Sequence, residues 1–221
     1  MKVGALIFDF DGTIADTEQA HFEGFRRVLA DEGLPLDWAE YHDRYIGYDD
    51  RGAFAARFAD AGRTLEEGQL RLLVDKKARL FPGLVEGQGL EPYPGVLDLM
   101  REAGRRGVPV GLCTGALLSD VEPLLRMFGL WDFLQARVTA EETPAGKPDP
   151  YPYRLAVRKL AAFAPGLEAG DCIAFEDTPA GIRSANAAGL RTIGITNTHA
   201  SGSLAEAWLV VPTLKGLGVF G

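Results

Sequence analysis

The sequence predicts an α/β fold built on a doubly wound parallel sheet. Short apolar runs recur along the chain, and they are continuous rather than alternating, as strands buried on both faces require. Segments with helical spacing separate them, the order expected when crossover helices join parallel strands. The alternation breaks once, over a long interval after the first strand that is helical in pattern.

The first strand is expected over residues 3–8, and others over 108–113, 172–175, 191–195 and 209–211. Between them Val96, Met100 and Ala103 form one helix face, Val121, Leu125 and Phe128 a second, and Tyr153, Val157 and Leu160 a third. In the long interval, Phe22, Phe25 and Leu29 mark one amphipathic face, Phe54 and Phe58 another, and residues 65–81 a further helix. An insertion of that length is too large for a loop. The sequence therefore divides into a catalytic core, residues 1–16 and 90–221, and a small helical cap domain, residues 17–89. The glycine-rich stretch 83–89 is expected to serve as the exit hinge.

Composition narrows the function. The chain has 221 residues, 47% of them hydrophobic, enough to supply a sizeable core. Its 23 basic and 31 acidic residues leave a net charge of −8, which argues against nucleic acid as a partner. No apolar run approaches the roughly 18 residues of a membrane span, and Asp9 interrupts the N-terminal one, so a soluble, cytoplasmic protein without a membrane partner is expected. Cys113 and Cys172 sit in apolar runs and read as packing residues. The sequence leaves the oligomeric state open.

Chemistry-bearing residues collect where strands end, which is where ligands bind in open α/β sheets. The first strand runs into Asp9-Phe10-Asp11-Gly12-Thr13, two carboxylates on a tight turn. The next leads to Thr114-Gly115, a hydroxyl followed by an unobstructed backbone N–H suited to a phosphate oxygen. Lys147-Pro148 precedes the helix over 151–160, and a later strand closes in Glu176-Asp177 before a helix start marked by Thr178 and Pro179. Carboxylates about 4 Å apart repel by roughly 4 kcal/mol per pair at an effective dielectric near 20, so clustered Asp9, Glu176 and Asp177 call for a cation. An oxygen-only donor set points to Mg²⁺ rather than Zn²⁺. With it, Asp9 suits a nucleophile toward phosphorus and Asp11 a general acid and base. Thr114, Gly115 and Lys147 would stabilise the transferring oxygens.

In this order and spacing the motifs resemble those of the haloacid dehalogenase superfamily of phosphotransferases, from residue 3 to about 195. The resemblance implies a Rossmann-like core with Asp9 as nucleophile and Asp11 as acid/base. Mg²⁺ would be bound by Asp9, the backbone carbonyl of Asp11, and Asp177, with Glu176 as a nearby or additional ligand. The dehalogenase branch lacks an acid at the Asp11 position, so phosphate chemistry is implied. Asp16-Thr17-Glu18 and His21 look like the β-phosphoglucomutase-like subgroup, which holds both phosphatases and mutases. The mutase has a lysine before the cap glycine, whereas this chain has Ile46 before Gly47, with the arginine displaced to Arg51. Thr17, His21, Gly47, Arg51 and Gly115 are the candidate substrate contacts, with Arg51 a clamp on a second anionic group. His42 and His199 are expected on the surface, and Trp38, Tyr41, Tyr45 and Tyr48 in the packing of the cap.

The expected function is thus a Mg²⁺-dependent phosphatase of a small phosphorylated metabolite, working through an aspartyl-phosphate. A sugar phosphomutase and a non-catalytic phosphoacceptor switch are the alternatives.

Overall fold

The computed structural model describes residues 3–86 and 89–220. Six parallel strands form one sheet: β1 (Ala5–Phe8), β2 (Val110–Cys113), β3 (Leu134–Val138), β4 (Cys172–Glu176), β5 (Arg191–Ile195) and β6 (Leu209–Val211). Their spatial order is β3-β2-β1-β4-β5-β6. The chain builds outward from β1 on one side, then returns to start again at β4 on the other. That reversal opens a crevice beyond the carboxyl ends of β1 and β4.

Four helices fill the interval after β1: α1 (Glu18–Asp31), α2 (Trp38–Arg44), α3 (Asp50–Asp60) and α4 (Glu67–Val85). They enclose an apolar cluster of their own, with Phe25, Leu29, Tyr41, Phe54, Phe58 and Leu73 buried in it. Asp37 and Asp49 cap α2 and α3 by accepting backbone N–H bonds from Glu40 and Gly52. The remaining helices, α5 (Val96–Arg105), α6 (Leu118–Met127), α7 (Tyr151–Leu160) and α8 (Pro179–Ala187), cover the sheet. Thr178 caps α8 and Pro179 occupies its first turn, as the sequence indicates.

Three expectations need correction. Strand β3 carries no continuous apolar run: Leu134, Ala136 and Val138 are buried while Gln135 is exposed, because an edge strand leaves one face partly in water. Gly83 lies inside α4, which continues past Pro82 to Val85, so it is no hinge; of the remaining exit segment, residues 87 and 88 fall outside the described residues. His42 and His199 are half-buried rather than surface groups. Their rings stack 5.8 Å apart, and His42 Nε2 lies 3.2 Å from the Thr198 carbonyl, tying α2 to the loop after β5. Both cysteines are buried and free, in keeping with a packing role. Among the described residues no helix is long and apolar enough to cross a membrane.

Candidate active site

Register delivers the reacting groups. Phe8 of β1 pairs with Phe175 of β4, and their rings stack 4.4 Å apart. The next residues, Asp9 and Glu176, therefore leave the sheet side by side, fixed by the bond from Asp9 N–H to the Phe175 carbonyl. Gly12, at φ +69°, turns the chain across the strand ends, and Asn197 Nδ2 donates to its carbonyl at 2.7 Å. A Cβ there would overlap the Asp177 carboxylate, so the turn needs glycine on two counts.

Lys147 is the electrostatic centre of this site. Its Nζ donates to Asp9 Oδ1 at 2.7 Å and to Glu176 Oε1 at 2.6 Å, from a loop whose Lys147–Pro148 peptide is cis. Burial alone would lower the lysine, yet the two carboxylates win and hold it above its ordinary value. Tyr153 Oη donates to the same Glu176 oxygen at 2.5 Å. Asp177 accepts from Thr13 at 3.1 Å and Thr198 at 2.5 Å.

Asp9, Glu176 and Asp177 are buried, and one oxygen from each lies within 4.8 Å of the others. Burial, then the mutual repulsion of these carboxylates, raises both Asp9 and Asp177 above the usual range, with Lys147 opposing at Asp9. Three buried negative charges against one ammonium leave a deficit that a divalent cation would fill, and the all-oxygen donor set fits a hard ion such as Mg²⁺. Glu176 Oε1 already accepts from two donors, which makes Glu176 the seat of Lys147. Asp9 Oδ2 has no hydrogen bond among the described residues, and with Glu176 and Asp177 it completes the trio that could hold the ion.

Asp11 belongs to a second network. Its Oδ1 accepts from Thr17 Oγ1 at 2.5 Å and faces His21 Nε2 at 2.9 Å. Burial acts to raise Asp11, but His21 and the two hydrogen bonds outweigh it and the carboxyl is lowered. Burial and Lys77 act to lower His21, but Asp11 outweighs them and the imidazole is raised. His21 Nε2 thus donates its N–H to the Asp11 carboxylate. Behind it Lys77 Nζ lies 2.8 Å from His21 Nδ1 and 2.6 Å from Asp50 Oδ1, fully buried.

One pocket between the helical insert and the sheet is reached by both networks. Asp9, Asp11, His21, Gly47, Gly115 and Lys147 all line it. At φ +85°, Gly47 turns so near the core that a Cβ would lie 3.1 Å from Thr178. Thr17 is buried and reaches Asp11 rather than the pocket. Thr114 is buried beside Gly115, its Oγ1 accepting from Ala116 N–H at 3.0 Å. Arg51 is not brought to the site: its guanidinium is half-exposed and pairs with Glu67 at 2.9 Å. It sits in the first turn of α3, one position after Asp50, and it is Asp50 that faces the pocket. Tyr41 and Tyr48 line the pocket as well, Tyr48 half-exposed, so neither serves only to pack the insert.

Asp49, Asp50 and Lys77 were not singled out from the sequence, and Glu18 entered only within the Asp16-Thr17-Glu18 motif. A usable signal exists for Lys77, which falls on the apolar stripe Leu70, Leu73, Val74, Phe81 of α4. A lysine on such a stripe is buried only with partners.

Comparison with known proteins agrees with this geometry. A family model described as haloacid dehalogenase-like hydrolase matches residues 3–189. The chain belongs to the haloacid dehalogenase-like hydrolases. It is 35% identical to the plasmid-encoded protein CbbY of Cupriavidus necator, over 95% of this chain and 85% of that protein. It is 31% identical to fructose-1-phosphate phosphatase YqaB of Escherichia coli, over 88% of this chain and 97% of that one. Among solved structures, CbbY from Rhodobacter sphaeroides in complex with xylulose-(1,5)bisphosphate superposes with a TM-score of 0.85 at 27% identity, covering 98% of this hydrolase and 96% of that chain. A β-phosphoglucomutase from Clostridium difficile shares the fold at a TM-score of 0.85 and 21% identity, with 98% and 94% of the two chains covered.

Proposed function

We propose that this hydrolase is a Mg²⁺-dependent phosphatase of a small phosphorylated metabolite of the sugar-phosphate kind. The observation that carries the reading is the meeting, in one pocket, of Asp9 seated on Lys147 and Asp11 seated on His21. The named activities of its relatives, fructose-1-phosphate phosphatase among them, support the same class.

In this reading Asp9, Asp177 and the Asp11 carbonyl would hold the cation, which supplies charge neutralisation for the phosphoryl oxygens and keeps Asp9 ionised. An Asp9 carboxylate oxygen attacks phosphorus in line, and the bond to the leaving alcohol oxygen breaks. Asp11, entering the step protonated, delivers that proton to the leaving oxygen. Asp11 then takes a proton from water as the water attacks the aspartyl-phosphate, the P–O bond to Asp9 breaks, and inorganic phosphate leaves. The Thr114 hydroxyl, the Gly115 N–H and Lys147 hold the transferring oxygens. Residues 17–89 act as a cap over the core formed by 1–16 and 90–221, excluding bulk water. Arg51, turned toward Glu67, supplies no anchor for the second phosphate that a mutase must hold.

The test is phosphate release from a panel of sugar and organic phosphates with Mg²⁺, beside Asp9→Asn. Folded wild-type protein should release phosphate and folded Asp9→Asn should not. Activity retained by Asp9→Asn, or none from the wild type on any member, would overturn the reading.

A further inference from the structure

The pocket has two chemically distinct ends. Lys147 and Gly115 mark the phosphoryl end. The wall that faces the leaving group is supplied by the insert: Glu18, Tyr41, Tyr48 and Asp50. Among the described residues the pocket's basic side chains are His21 and Lys147 alone, and each is already engaged by carboxylate, His21 by Asp11 and Lys147 by Asp9 and Glu176. Lys77, behind the wall, is held by Asp50.

The wall's carboxylates are less well compensated. Asp50 Oδ2 is buried without a hydrogen-bond partner, although the same carboxylate binds Lys77 through Oδ1. Glu18 accepts from Tyr41 Oη at 2.8 Å and has no cationic partner of its own. The arginine that could have met an anion, Arg51, is spent on Glu67. A leaving group entering this space meets acceptors and negative charge; a hydroxyl or ammonium satisfies them, and a second phosphate or a carboxylate is repelled.

Resting on the phosphatase reading, we infer that the substrate's leaving alcohol is a small polyol without a second anionic group, an amino substituent being favoured over a hydroxyl, and that Asp50 enforces this choice. In this the hydrolase differs from its structural neighbour solved with xylulose-(1,5)bisphosphate.

The experiment compares kcat/KM with Mg²⁺ across two matched series: glucosamine 6-phosphate, glucose 6-phosphate and glucose 1,6-bisphosphate; and phosphoethanolamine, glycerol 3-phosphate and 3-phosphoglycerate. The expected order within each is amino, neutral, anionic, with the anionic member lower than the neutral one by about tenfold or more. Asp50→Asn should narrow that gap, chiefly by lowering KM for the anionic members. That variant keeps a carbonyl oxygen toward Lys77. An anionic member cleaved as well as its neutral counterpart by the wild type would overturn the inference and leave the phosphatase reading standing. No release from any phosphomonoester, 4-nitrophenyl phosphate included, would remove both.

Discussion

Tyr153→Phe isolates what the hidden hydroxyl beneath the site contributes. Tyr153 is fully buried under the sheet, packed in the cluster of Ala5, Ile7, Cys113 and Ala174. Among the described residues its Oη makes one hydrogen bond, donated to Glu176 Oε1 at 2.5 Å. Phenylalanine keeps the ring, its buried area and its place 5.4 Å from the Lys147 ammonium, so the difference is one hydrogen bond to a charged acceptor. Such a bond is worth about 1.5–3 kcal/mol. For a domain of this size about 2 kcal/mol corresponds to a fall in Tm of about 4–8 °C. Lys147 retains both of its carboxylates, so kcat/KM should fall only about three- to tenfold, roughly 0.7–1.4 kcal/mol of transition-state stabilisation. Differential scanning calorimetry and a phosphate-release assay read the two effects. Unchanged Tm would refute the assignment of Tyr153 as the support of Glu176, and a loss beyond about a thousandfold would mean that the hydroxyl itself takes part in the chemistry.

Other expectations follow from neighbouring contacts. Asp120, buried at the start of α6 with one unpartnered oxygen, is pushed up to about 6 by burial, Lys77 opposing. The folded state thus binds this proton more tightly than the unfolded chain, so Asp120 costs stability above about pH 6, and that cost fades as pH falls toward 4. Asp120→Asn should raise Tm at pH 8 and lose that advantage near pH 4, by thermal melts across pH. Gly181→Ala would drive a methyl into the Glu176 carboxylate from the first turn of α8; a loss of about 1–3 kcal/mol in urea unfolding, with lower turnover, is expected. Chelation with EDTA should stop phosphate release and Mg²⁺ should restore it. At a hundredfold excess over Kd the ion should add about 2.7 kcal/mol to wild-type stability and little to Asp177→Asn, in melts with and without Mg²⁺.

Much of the core could be read from order and periodicity, since those signals are local. Continuous apolar runs located β1, β2, β4 and β5, and Thr178-Pro179 located the start of α8. Asp9, Lys147, Glu176 and Asp177 were legible because parallel strands deliver their carboxyl ends to one edge, so residues far apart in sequence converge once the topology is given. The alternating edge strand β3 escaped, its signal weakened by one wetted face.

The helical insert is where local signals stopped being enough. Periodicity identified α1, α3 and α4 but not the short α2, and which residue of a pair such as Asp50 and Arg51 points inward depends on how α3 rolls against α4 and the core, a matter of long-range packing. The same packing carried Lys77 under His21 and turned Tyr48 toward the pocket. The sequence by itself determined the sheet, the strand-end carboxylates and the class of chemistry, because backbone topology dictates them. Only the tertiary structure decided which charges face the leaving group, because a helix surface turns by about 100° per residue and docking alone selects the side that is buried.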